Sequence, residues 1–224
     1  MNERMAQILE AAVQGFIATG EPVSSGWLYD HYAFGIKPAM IRLELDTLED
    51  EGYLAQPHHS AGRVPTDAGY EFFAGRLLGA ARPAAESRER ALRELLEERA
   101  WPDLLSRLSD ELGLLGVVAD LTRDAVYKAG LDALVNGLEW EDRGELRSVI
   151  RDFEEVDERA PRAAQKLGAG GPRVFIGRKS PVTKSESLSV VGGNYQVGNA
   201  TVSIFAIGPK RMDYRKAIRI FRAL

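Results

Sequence analysis

The residues best equipped for chemistry form a short loop. His58, His59, Ser60 and Arg63 crowd imidazole, hydroxyl and guanidinium donors around Ala61-Gly62, where side-chain bulk almost vanishes. Donors on a backbone that can approach closely suit a phosphate or a minor groove, and arginine gains there from the negative potential of a narrow groove. Just upstream, Lys37, Met40, Arg42 and Leu43 follow helical spacing behind Pro38. In a major groove a guanidinium bonds guanine O6 and N7, and methyl-bearing side chains cover thymine methyls. Lys37, near the helix start, is placed for a phosphate, and Ser24 and Ser25 add hydroxyls before another short helical stretch. The competing description is bland: a solvated helix face and a pair of ordinary surface histidines.

Other chemistries are thinly supplied. With no cysteine, disulfides, thiol nucleophiles and cysteine-based zinc sites are excluded. The histidines are His31, His58 and His59, and two adjacent imidazoles point in different directions with no third ligand evident, so no metal or cofactor is expected. The stretch Gly171 to Ser180 superficially resembles a phosphate loop, but five residues separate its glycines and Arg178 precedes Lys179-Ser180. It also reads as a strand entering a turn. An enzyme is not expected.

The elements that must position these residues are legible from periodicity. Met5, Ile8, Leu9, Ala12, Val13, Phe16 and Ile17 make one apolar stripe over 3–19, broken by Gly20-Glu21-Pro22. Ser24 or Ser25 caps a short second helix through Trp27, Leu28 and Tyr32. A third helix runs from Pro38 to about Glu51, with Ile41, Leu45 and Leu48 inward. Tyr53 to Pro57 reads as a strand, the donor-rich loop follows, and Thr66 or Asp67 opens a fourth helix. Three helices, a short strand and a polar loop make the order of a winged helix-turn-helix, over residues 1–78. Residues 79–100 read as a linker and connecting helix, and 101–224 as an α+β domain with an antiparallel sheet. Its strands are expected around Val174–Ile176, Leu188–Val191 and Thr201–Ile207. A closing amphipathic helix starts at Asp213, with Arg215, Lys216, Arg219 and Arg222 outward. No apolar run approaches bilayer length and the N-terminus lacks a signal-peptide core, so a cytoplasmic protein without membrane contact is expected.

Charge is unevenly distributed. Residues 1–78 hold five basic side chains against eleven acidic ones, whereas 172–224 hold ten basic against two. An acidic N-terminal part predicts weak non-specific affinity for DNA, so useful binding would need a dimer that doubles the contacts.

The run from Glu49 to Tyr70, with Gly62-Arg63-Val64-Pro65-Thr66 at its centre, closely resembles the winged-helix segment of the heat-inducible transcription repressor family HrcA. Thr19 to Ser25 resembles that family's turn before its second helix. Ile207 to Tyr214 resembles its closing motif, and Ile176-Gly177, Ser189-Val190-Val191 and Tyr195 sit where its later strands lie. The resemblance implies a repressor that binds an inverted repeat in double-stranded DNA upstream of chaperone operons. It implies a homodimer with paired winged helices, a GAF-like second domain, and modulation by the GroEL chaperonin. Two departures stand out. The middle region, about 100–145, is expected to be too small for the full GAF-like sheet with a dimerisation insert. The third helix carries Met40-Ile41-Arg42-Leu43-Glu44 where the family's start is more polar, so operator sequence is expected to differ. The rival function is a winged-helix protein-interaction or sensor module without sequence-specific DNA binding.

Overall fold

Helix α1 (Glu3–Thr19) forms where its apolar stripe predicts, with Ile8, Leu9, Ala12 and Val13 buried. Asn2 caps it by accepting from the Met5 amide at 2.9 Å, and Gly20 ends it in the left-handed region at φ 73°. The structure, a computed structural model, describes residues 1–58, 61–81, 87–138, 143–168 and 170–224. It comprises two units, Met1–Arg76 and Leu77–Leu224.

In the first unit α1 is followed by α2 (Ser25–His31) and α3 (Pro38–Asp50). Proline in the first turn of α3 gives up an amide that has no helical partner there. The inward row Ile41, Leu45 and Leu48 is buried. Strands β1 (Leu54–Ala55) and β2 (Val64–Pro65) then pair antiparallel, Leu54 opposite Pro65 and Ala55 opposite Val64. Helix α4 (Asp67–Gly79) follows, with Tyr70, Phe73 and Ala74 buried. Arg76 near its end binds Glu3 and Glu10 of α1, each at 2.6 Å. The hydrogen bonds to Glu3 and Glu10 raise its guanidinium pKa, so it stays charged throughout.

The second unit opens with α5 (Ser87–Glu97) and α6 (Trp101–Leu112). Strands β3 (Leu115–Asp120) and β4 (Ala125–Ala129), helix α7 (Leu131–Gly137) and the long helix α8 (Arg143–Leu167) come next. Then follow β5 (Arg173–Ile176), β6 (Leu188–Val197), β7 (Ala200–Pro209) and α9 (Tyr214–Ala223). The strands make one antiparallel sheet in the order β4-β3-β7-β6-β5. Mixed helix and antiparallel sheet is the expected α+β class. Val117, Ala119, Val190, Phe205 and Ile207 form a core with Val149, Val156 and Ala160 of α8. Against the opposite surface of β3, Gly116 lets Leu105 of α6 close in, since a Cβ there would lie 2.9 Å from its Cδ2.

The middle region is richer than expected. Residues 100–145 supply α6, β3, β4 and α7, so the sheet has five strands, not three. Every residue of β3 is buried. A strand covered on both faces reads as a continuous apolar run without alternation, which hid it. The phosphate-loop-like stretch becomes β5 followed by a single helical turn at Gly177–Lys179. Asp152 of α8 is buried and accepts from the Lys184 and Ser185 amides, each at 2.8 Å, while Arg159 lies 2.6 Å away. That carboxylate pins the loop before β6 onto α8. No helix among the described residues is long and apolar enough to cross a membrane.

Candidate nucleic-acid interface

Helix α3 presents two faces because its sequence does. Ile41, Leu45 and Leu48 pack inward, and the outer side exposes Ala39, Met40, Arg42, Leu43, Thr47 and, at its end, Asp50. Met40 is 45% exposed and Leu43 58%, high for large apolar side chains. Thr47 Oγ1 donates to the Leu43 carbonyl at 2.9 Å, so its hydroxyl is turned back onto the helix. Lys37 is exposed immediately before Pro38. Glu44 is buried and held by Arg4 at 2.7 Å.

Helix α2 stands beside α3, anchored by buried Leu28. Ser24 Oγ accepts from the Trp27 amide at 3.1 Å, so Ser24 is the N-cap and Ser25 the first helical residue. Gly15 of α1 admits the Trp27 ring, because a Cβ there would lie 2.7 Å from Cζ3. Trp27 stacks on His31 with centroids 4.1 Å apart.

The loop between β1 and β2 differs from its expected role in one respect. Arg63 does not project outward. Its Nη2 lies 2.7 Å from Asp46 Oδ1 and its Nε 2.7 Å from Glu49 Oε2, leaving the side chain 13% exposed. Gly62 lines an open groove and also has a packing role. A Cβ on it would sit 2.5 Å from the Val23 carbonyl carbon and 2.6 Å from Pro22 O. Its missing side chain is what lets Val23 and Arg63 exchange backbone hydrogen bonds at 2.9 and 2.8 Å. The segment between α1 and α2 is thereby tied to β2. His58 is exposed and its carbonyl accepts from the Ala61 amide at 2.9 Å. His59 and Ser60 lie outside the described residues.

These placements bring Ser24, Ser25, Arg42 and Arg63 to the rim of one open groove of about 360 Å³, with Gln56 and Asp46 between them. Lys37 and Met40 border a neighbouring concavity with Tyr29, Tyr32 and Phe34. Sequence reasoning missed Asp46 and Glu49 as partners of Arg63, although their spacing of three puts both on one side of a helix. It also missed Gln56, whose Nε2 donates to the Ala61 carbonyl at 3.0 Å.

The electrostatics follow from this pairing. Of the five cations in residues 1–78, Arg4, Arg63 and Arg76 are committed to carboxylates of the same unit. Among the described residues the two without an acidic partner, Lys37 and Arg42, both belong to the outer side of α3 and its start. The basic residues of α9 are spent differently. Arg219 lies 2.8 Å from Glu89, Lys216 donates to the Glu111 carbonyl, and Arg222 to those of Leu78 and Ala80. No group of acidic and histidine side chains that could hold a metal occurs among the described residues.

A family model described as the HrcA protein C terminal domain matches residues 71–218. A protein of Parafrankia sp. named heat-inducible transcription repressor HrcA is 41% identical over 123 residues, covering 55% of this chain and 34% of its own length. One of the same name from Beutenbergia cavernae is 45% identical over 97 residues, covering 43% of this chain and 27% of its own. The chain thus matches about a third or less of the length of these relatives. A crystal structure of a hypothetical protein aligns with TM-score 0.82 at 19% identity, over 99% of this chain and 95% of that one, a likeness of fold.

Proposed function

The chain belongs to the HrcA family, and on that premise we propose that it is a non-enzymatic transcription repressor of chaperone genes, acting in the cytoplasm. Met1–Arg76 serves as a winged-helix DNA-binding domain, with α3 in the major groove and the β1–β2 loop as the wing. Leu77–Leu224 serves as a GAF-like regulatory and dimerisation domain. Two copies occupy an inverted repeat and block transcription, and loss of the folded dimer on heating, with GroEL restoring it, sets the switch.

One observation carries the DNA-binding part. Among the described residues, the two Lys and Arg side chains of the first unit that lack an acidic partner sit where a groove-bound α3 would meet DNA, Arg42 on its outer face and Lys37 at its start. Arg63 supports them indirectly, by neutralising charge on Asp46 and Glu49, which would otherwise repel the phosphate backbone. Ser24 and Ser25 line the same groove, where a serine hydroxyl can donate to a phosphate.

Selection of bound sequences from a randomised duplex pool tests the proposal. Enrichment of an inverted repeat is the expected result; no enrichment even at low salt overturns it. The acidic surplus of residues 1–78 favours a second reading, a protein-interaction module. Such a module would leave duplex DNA unretained at low salt, whereas a repressor loses affinity steeply as salt rises.

A further inference from the structure

The outer side of α3 is unusually rich in apolar groups for a surface that meets DNA, with Arg42 its cation and Asp50, at the last residue of the helix, its exposed carboxylate. Ala39, Leu43 and Thr47 are spaced four apart and so form one line along the helix, all exposed. Thr47 has turned its hydroxyl to the Leu43 carbonyl at 2.9 Å, which leaves its methyl group as the part available to a partner. Met40 stands on one side of this line, and Arg42 on the other. Of the two carboxylates on this side, Asp46 is held by Arg63 at 2.7 Å, and Asp50 is exposed at the helix end, beyond the stripe.

A surface of this composition has few donors with which to tell bases apart. In the major groove the sole apolar group that distinguishes one base from another is the C5 methyl of thymine. Resting on the DNA-binding function proposed above, we infer that α3 selects a half-site in which a guanine, bonded by Arg42, is flanked by thymines recognised through their methyl groups by Leu43, Met40 and the Thr47 methyl. The occupant of the stripe is DNA and not an apolar protein surface, because the unpaired cations Lys37 and Arg42 border it.

Uracil isolates the methyl group, since it pairs as thymine does and lacks only that carbon. Two randomised duplex pools, one built with thymine and one with uracil, are selected against the full chain, and each enriched duplex is then measured in both forms. The thymine form should bind about fourfold tighter for each methyl covered. Leu43→Ala and Met40→Ala should bring the thymine-to-uracil ratio towards one, and Met40→Leu should keep it. Both positions are exposed, so the fold tolerates the change. Sequence-specific binding with equal affinity for both forms overturns methyl recognition and leaves the DNA-binding function standing. An undiminished ratio in both alanine variants also overturns it. Retention of neither pool removes the DNA-binding function, and methyl recognition falls with it.

Discussion

Arg42 and Arg63 are both arginines near one groove, yet their surroundings assign them opposite tasks. Arg42 is exposed and without an acidic partner, so Arg42→Ala should change base preference at one position per half-site while thermal stability stays within about 0.5 kcal/mol. Sequence selection and a melting curve read the two effects separately. Arg63 bridges Asp46 and Glu49. Arg63→Ala should lower stability by about 1 kcal/mol and weaken binding to every duplex alike, because two carboxylates are released beside the phosphates. Asp46→Asn should do the reverse for binding, raising affinity without changing preference, as titration against specific and scrambled duplexes would detect. The types of these residues were legible in the sequence, and so was their nearness. Which of them is bound internally was not, because that depends on the fold of the β1–β2 loop bringing position 63 over positions 46 and 49. The packing role of Gly62 was hidden for the same reason: its bareness also admits the backbone of Pro22 and Val23.

At the scale of elements, caps and pins matter more than their size suggests. Ser24→Ala removes the acceptor for the Trp27 amide and should cost about 1 kcal/mol, visible as a lower denaturation midpoint. Asp152→Ala should cost about 3–5 kcal/mol, since Arg159 and two amides lose their shared partner in a buried place. Increased proteolysis within residues 183–187 would locate that loss. Helices α1, α3 and α9 were readable from their stripes, because each has one wet and one dry face. Strands β3 and β4 were not. The first is buried throughout, and the second is half-buried at every position, so neither alternates.

For the molecule as a whole, charge distribution decides more than net charge. The ten cations of residues 172–224 suggest a polyanion-binding surface, yet along α9 Lys216, Arg219 and Arg222 close contacts within their own unit. Among the described residues the first unit instead leaves Lys37 and Arg42 without an acidic partner. If two copies bind one operator, the two Lys37 side chains meet phosphate while the Arg42 pair bonds bases, and the logarithm of affinity should fall with the logarithm of salt at a slope of about −2. Affinity measured across a salt series checks this, and a slope near zero would contradict it. The bridge between Val23 and Arg63 has its own consequence. Because the turn before α2 shares backbone bonds with the residue that leads out of the wing, the two cannot loosen separately. Their amides should therefore exchange with deuterium at one common rate, and a lesion at Pro22 should be felt by DNA through the wing.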